Sequence, residues 1–219
     1  MSDLEEIADV RRRLCRAVEG HLEPVDANGH PDISWLSHMG PRYRCIGRGA
    51  PLSVFMGEGL ALYVAARVLR PACVADCFTG TGFAAACLAL GAPDAQVFTV
   101  DTYSEGGAGD AGEAIVRAWT TNLGLSNLYV LRGSVPEMNA AICGRKVDLA
   151  AFDPEGNHDL PWAEGAVVAN HDNRNIVGER PFSFMVRGGS WLTFSFQDAG
   201  KRDLVRAEVE RLVGPTDAN

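Results

Sequence analysis

Four aspartates in this chain stand at the ends of short apolar runs: Asp76, Asp101, Asp153 and Asp172. A carboxylate at the carboxyl end of a strand can accept hydrogens from a hydroxyl or an ammonium group, or coordinate a hard cation, at the rim of a sheet. The fullest example runs from Cys73 to Tyr103, CVADCFTGTGFAAACLALGAPDAQVFTVDTY. It reads as a strand ending in Asp76, a Thr-Gly-Thr-Gly turn, a small-residue helix that stops at Gly91, and a second strand ending in Asp101. One β-turn-α-β unit with an acid at both strand ends is the pattern of a nucleoside-cofactor cradle.

Each residue type in that unit has a physical task. Gly80 and Gly82 permit positive φ and close approach of a ligand to the backbone. Ala84, Ala85, Ala86 and Ala89 let the helix lie close on the sheet, and Asp101 can accept both hydroxyls of a ribose. A dinucleotide site would show G-x-G-x-x-G with a pyrophosphate at the helix start. The spacing here is instead D-x-x-x-G-x-G from Asp76 to Gly82, with Phe78 at the first expected glycine.

A second constellation lies further on. Asp153 ends the fourth predicted strand, and the pair Asp172-Asn173 ends the fifth. Two carboxylates and an amide oxygen suit Mg²⁺ or Ca²⁺, which keep waters for a substrate oxygen to displace. The same residues equally suit a cap on the loop after the strand and an Asp-Pro turn.

The elements that must hold these groups follow from periodicity and punctuation. Ser2 and Glu5 form a capping box, and Leu4, Ile7, Leu14, Val18 and Leu22 recur at helical spacing, so residues 3–20 are predicted to be an amphipathic helix. Its outer face carries Arg11, Arg12, Arg13 and Arg16, a solvated face. From Glu23 to Leu52 the periodicity fails, and Trp35, Met39 and Tyr43 suggest a partly ordered cover over the site, where His30, His38, Arg42 and Arg44 would be near substrate.

A helix is predicted over 57–70, and Asp110 with Glu113 is expected to cap another that closes at Gly124. Strand Leu128–Leu131 and an S-x-x-E box at Ser134 and Glu137 follow, then strand VDLAAF. The alternation from 57 to 153 predicts a parallel, doubly wound sheet whose ligand lies at the carboxyl ends of its strands. GAVVANHDN reads as the fifth strand, RNIVGERPFSF through Gly189 as a loop, and SWLTFSFQ as the sixth strand. Residues 201–213 fit either a charged helix or a last antiparallel strand.

Composition bounds the partners. With 219 residues, 47% of them hydrophobic, the chain can bury a full core, and it is expected to form one globular unit. A formal charge of −8 argues against nucleic acid or a membrane surface as partner. No run reaches the roughly 18 to 20 apolar residues of a membrane span, and a cytoplasmic location is expected. The six cysteines form no CxxC pair and read as reduced thiols, with Cys73, Cys77 and Cys87 in the core rather than in a zinc cluster.

The motif from Asp76 to Gly82 resembles motif I of the class I S-adenosylmethionine (SAM) methyltransferases, in which the acid lies near the ammonium of the methionine moiety. From Met56 to Pro215 the chain resembles the catechol O-methyltransferase type of small-molecule O-methyltransferase. After the Asp-Asn pair that family shows a Phe-x-x-x-Val-Arg-Gly-Ser run, and Phe182 to Ser190, FSFMVRGGS, is similar to it. The resemblance implies a Rossmann-like, mostly parallel α/β sheet over 56–219, with residues 1–55 as a helical and lid-like extension. It implies SAM held by Met56, Gly57, Asp76, Phe78, Thr79, Gly80, Gly82, Asp101, Thr102, Gly133, Ser134, Val135 and Asp153. It also implies Mg²⁺ on Asp153, Asp172 and Asn173.

Three departures accompany the resemblance. The family's lysine, three residues after the strand-four aspartate, is Gly156 here; its aromatic adenine neighbour is Glu155; and only 19 positions separate Asp153 from Asp172, which shortens a crossover. The proton acceptor is therefore expected at His158, working beside Asp153, with His171 as the second candidate. The implied reaction is metal-assisted methylation of a hydroxylated small molecule, in a chain that could pair as a homodimer. The alternatives are a cyclase, isomerase or lyase on the same fold, or a SAM-binding module without catalysis.

Overall fold

Helix α1 (Asp3–Ala17) begins at its capping box: the Ser2 N–H donates to Glu5 Oε2 at 2.7 Å, and the Glu5 N–H donates to Ser2 Oγ at 3.3 Å. Ile7, Val10, Leu14 and Ala17 form its buried stripe. Leu4, expected in that stripe, is 63% exposed. The four arginines of the outer face are in solvent. The computed structural model describes residues 2–17, 19–25, 40–46, 53–104, 109–152, 159–171, 180–187 and 191–218.

The region from Glu23 to Leu52 contributes more order than its sequence suggests. Strands β1 (Leu22–Val25) and β2 (Arg42–Cys45) pair antiparallel, Leu22 opposite Cys45. Arg42 Nε donates to the Ser53 carbonyl and Arg44 Nε to Glu23 Oε1, both at 2.7 Å, so these two arginines hold the ribbon in place. Tyr43 is buried against Phe83, ring centroids 5.3 Å apart. The expected cover residues His30, Trp35, His38 and Met39 lie outside the described residues.

Helix α2 (Met56–Leu69) leads into the alternating core: β3 (Cys73–Cys77), α3 (Phe83–Gly91), β4 (Gln96–Asp101), α4 (Gly109–Leu123), β5 (Leu128–Arg132), α5 (Val135–Ile142) and β6 (Val147–Phe152). The chain then forms β7 (Trp162–His171), β8 (Phe182–Arg187), β9 (Trp191–Phe196), α6 (Ala199–Leu212) and β10 (Thr216–Ala218). Among the described residues the main sheet has eight strands in the order β10-β8-β9-β7-β6-β3-β4-β5. β5, β4, β3, β6 and β7 are parallel, and β9, β8 and β10 extend the sheet by antiparallel pairs. This is the Rossmann-like, mostly parallel α/β architecture expected from the sequence.

Strand alternation sorts the core into two layers. Val74, Val97, Leu149, Val167, Phe184 and Phe194 face α2, α3, α4 and α6, while Ala75, Val100, Ala150 and Val168 face α5 with its Met138 and Ile142. Among the described helices α5 alone covers that second face, in keeping with the shortened crossover after β6. On the first face the helices lie close. A Cβ on Gly91 would stand 2.3 Å from the Tyr63 carbonyl oxygen, so glycine is what allows α3 to touch α2.

One expectation is corrected, and one open reading is decided. Phe182–Arg187, taken as loop because Pro181 and the glycine pair frame it, is a strand: Phe184 and Val186 turn to the core while Ser183 and Met185 turn away. Of the two readings open for residues 201–213, the helix holds: α6 ends at Leu212 and is capped at Asp198, whose carboxylate accepts the Lys201 N–H at 2.6 Å. Asp110 and Glu113, expected to cap α4, lie within its first turns and bind Arg132 of β5, with Glu113 Oε2 accepting from Arg132 Nε at 2.8 Å.

Among the described residues no helix is long and apolar enough to cross a membrane. Cys73, Cys77 and Cys87 are buried and free. Burial, reinforced by the charge of Asp148, pushes the Cys73 thiol up to about 11, and burial moves Cys77 and Cys87 further in the same direction.

Candidate functional site

The carboxyl ends of β3, β4, β5, β6 and β7 share one rim, and the turn after β3 folds onto β4. The Phe78 N–H donates to the Val100 carbonyl at 2.9 Å, the Thr79 N–H to the same oxygen at 3.3 Å, and the Gly80 N–H to Asp101 Oδ2 at 3.0 Å. The turn's amides therefore point into the neighbouring strand rather than toward a ligand phosphate, in agreement with the absent dinucleotide spacing. Gly82 has φ 76°, and a Cβ there would lie 2.7 Å from Val116 Cγ2 of α4, so this glycine serves packing as well as the turn.

Asp101 holds the bend together with both oxygens. Oδ2 takes the Gly80 N–H, and Oδ1 takes the Tyr103 N–H at 2.8 Å. Each carboxylate oxygen keeps a second lone pair, which leaves Asp101 able to accept two further hydrogens from a diol at the cavity it borders. That cavity, about 270 Å³, is lined by Phe78, Asp101, Thr102, Gly133, Ser134 and Val135, with Cys77, Val100 and Pro136. Six residues expected at a nucleoside thus border one space.

Ser134 also starts α5: its N–H and hydroxyl donate to Glu137 Oε2 at 2.7 and 2.6 Å, which holds the Glu137 carboxyl below its usual range. Opposite, Arg132 binds Asp110 and Glu113 and lies over the Tyr103 ring, 5.7 Å from its centroid.

Asp76 lies one residue before the end of β3, 3% exposed. Its Oδ2 accepts from Thr99 Oγ1 at 2.6 Å, and Thr99 Oγ1 lies 2.5 Å from Thr79 Oγ1. A hydroxyl carries one hydrogen, and Thr99 gives its own to Asp76, so Thr79 must donate to Thr99. The relay follows from strand register, since Asp76 and Thr99 are paired neighbours on β3 and β4. A smaller cavity, about 20 Å³, is bordered by Asp76, Phe78, Thr79, Ser53, Phe152 and His171 among others.

Met56 and Gly57 are buried in the first turn of α2 and border neither cavity; Gly80 and Gly82 shape the turn without bordering them either. From that helix Leu62 borders the smaller cavity, and Glu58 reaches the end of β7. Its carboxylate, fully buried, lies 3.3 Å from His171 Nε2 at the end of β7. The sequence reading did not single out Glu58 or Thr99. Glu58 at the third helical position hints only at a cap, and it does accept the Phe55 N–H at 2.8 Å. His171, the second candidate for proton acceptor, faces Glu58 of α2.

Asp153, His158, Asp172 and Asn173 lie outside the described residues. Among the described residues no three His, Cys, Asp or Glu side chains gather into a set able to hold a metal ion. The strands that lead to these positions are neighbours: β6 and β7 run parallel, Phe152 opposite Asn170.

No protein-family model matches the chain, and no curated protein matches its sequence. Solved structures do match its shape. The O-methyltransferase TomG from Streptomyces achromogenes, solved in complex with SAM, superposes over 90% of this chain and 99% of its own, with a TM-score of 0.54 and 14% identity. The O-methyltransferase from Bacillus cereus, in complex with S-adenosylhomocysteine (SAH), superposes over 67% of this chain and 83% of its own, with a TM-score of 0.53 and 14% identity. At such identities the shared property is the architecture, and this chain has the Rossmann-like α/β fold found in these methyltransferases.

Proposed function

We propose that the chain is a SAM-dependent methyltransferase acting on an oxygen of a small hydroxylated molecule. The observation that carries this reading is the pair of cavities along the ends of β3 and β4. One is bordered by the Asp101 carboxylate and Gly133–Val135, the other by buried Asp76, and they meet at Cys77 and Phe78. A nucleoside joined to an amino acid matches this division: Asp101 suits ribose hydroxyls, the face of Gly133–Val135 suits a base, and Asp76 suits an ammonium group. The two similar structures hold SAM and SAH.

SAM supplies an activated methyl group, so the chain's own residues have mainly to bind, align and keep water out. Asp153, Asp172 and Asn173 are the residues that would supply oxygen donors for Mg²⁺, an ion that would lower the pKa of a substrate hydroxyl. His158 is the side chain proposed to take the hydroxyl proton, in the absence of a lysine at Gly156.

The test is calorimetric titration with SAM, followed by incubation with a panel of phenols and catechols. The reading requires heat of association and SAH formed in step with consumed acceptor. Binding without SAH would favour a cyclase, isomerase, lyase or non-catalytic module, and no binding would overturn the reading.

A further inference from the structure

The smaller cavity, about 20 Å³, has room for one group the size of a water or an ammonium. Its polar border is made of Ser53, Asp76, Thr79 and His171. What a hydroxyl can offer a ligand depends on where its single hydrogen already points. Thr99 gives its hydrogen to Asp76 Oδ2 at 2.6 Å, and Thr79 gives its own to Thr99 across 2.5 Å. Thr79 Oγ1 therefore meets the cavity with lone pairs only.

Other hydrogens around this cavity are committed in the same way. Ser53 Oγ donates to the Tyr43 carbonyl at 3.1 Å and accepts the Tyr43 N–H at 2.8 Å. The N–H groups of Phe78 and Thr79 are bonded to the Val100 carbonyl at 2.9 and 3.3 Å, and His171 turns Nε2 to Glu58, 3.3 Å away. A group that brings its own hydrogens and a positive charge fits this border, whereas a carboxylate would find neither hydroxyl nor turn amide to donate to it. Thr99, 0% exposed, does not itself border the cavity. It stands on β4 between Phe98 and Val100, where a valine would have the same shape, and its place opposite Asp76 in the register sets the direction of the relay.

We propose that Thr79 is a specificity residue that accepts a hydrogen from the ammonium of the cofactor's amino-acid end, and that Thr99 is a positioning residue that holds Thr79 as an acceptor. This rests on the cofactor reading above. An ammonium has three hydrogens and no lone pair, so it is matched by a carboxylate together with a hydroxyl oxygen whose own hydrogen is turned away. Without the Thr99 hydroxyl, the hydrogen of Thr79 loses its acceptor, and the direction of the relay is lost with it.

The experiment is calorimetric affinity for three thioethers: SAH, its decarboxylated analogue, which keeps the ammonium, and 5′-methylthioadenosine, which has no amino-acid end. Valine at position 79 or 99 keeps the shape of the side chain and loses the hydroxyl; serine keeps the hydroxyl. Thr79→Val and Thr99→Val are each expected to weaken SAH and the decarboxylated analogue by about 10-fold while 5′-methylthioadenosine stays within about twofold, and Thr79→Ser and Thr99→Ser to keep SAH within about threefold. A loss shared by all three ligands overturns the proposal, since the turn itself would then be disturbed. A loss for SAH without one for the decarboxylated analogue also overturns it, because Thr79 would then be a donor to the carboxylate. So does wild-type protein that binds 5′-methylthioadenosine as tightly as SAH. Thr99→Val with wild-type affinities overturns the positioning role. Should Thr99→Val fail to fold because Asp76 loses its donor, the two Thr79 variants carry the test. Wild-type protein that binds none of the three overturns the cofactor reading itself, a result distinct from binding with unchanged ratios.

Discussion

Glu58 and His171 meet 3.3 Å apart, Oε2 to Nε2, with side chains 0% and 2% exposed, and so join the first turn of α2 to the last residue of β7. The same Glu58 oxygen accepts the Phe55 N–H. Removing the carboxylate would leave polar groups buried without it. Glu58→Ala is therefore expected to lower the free energy of unfolding by about 3 kcal/mol. The reading is a shift of the urea midpoint at unchanged slope; a loss below about 1 kcal/mol would show that the contact is incidental.

Asp101→Asn keeps the shape of the side chain and turns one oxygen into a donor. SAM affinity should fall by the equivalent of about 1 to 3 kcal/mol, the cost of leaving a ribose hydroxyl unmatched. Calorimetry measures it, with a thermal melt alongside because Asp101 also holds Gly80 and Tyr103. Unchanged affinity would remove Asp101 from the ribose contact.

At Gly91 a methyl group must displace either the Tyr63 carbonyl or the whole of α3. Gly91→Ala, which an isolated helix would favour, should instead cost about 2 kcal/mol, seen as a fall in Tm of about 4 to 8 °C. A higher Tm would show that α2 and α3 have room to separate.

Burial raises the folded-state values of Cys73, Cys77 and Cys87 above those of the unfolded chain, so the unfolded state loses its thiol protons first as pH rises. The stability these neutral thiols contribute is complete below about pH 8.5 and declines above it, for Cys73 up to about 11. Urea unfolding under reducing conditions at pH 8 and pH 10.5 should show this decline, and replacing the three cysteines with alanine should flatten it. An equal slope in the variant would assign the decline to other groups, the buried tyrosines first.

Should Asp153, Asp172 and Asn173 hold a divalent cation, EDTA will abolish turnover and added Mg²⁺ restore it, while Asp172→Ala loses both responses and keeps its melting temperature within about 2 °C. Turnover indifferent to EDTA in the wild type would set the metal proposal aside.

The parallel half of the fold was legible because its signals are local. Apolar runs end in Asp76 and Asp101, alanines mark the close-packed helix α3, and Ser134 with Glu137 announces α5. The antiparallel half was not. β8 sits between Pro181 and Gly188, punctuation that suggests a loop, and its strand character depends on a partner, β9, that local sequence does not identify. The site divides in the same way. Asp101, Thr102 and Gly133–Val135, expected from the family resemblance, line one cavity, whereas Thr99 gains its role only from pairing with Asp76, and Glu58 only from a helix folding back on β7.

Strand order has a consequence for how the molecule is made. β3, the first strand of the main sheet to leave the ribosome, is central, and its second neighbour is β6: the Cys73 N–H bonds to Asp148 across 75 residues of chain. Until that distant segment emerges, one edge of this wholly buried strand stays open. Closure through such long-range pairing is slow, in the millisecond-to-second regime of non-local topologies, so nascent chains are most prone to aggregate before β6 arrives.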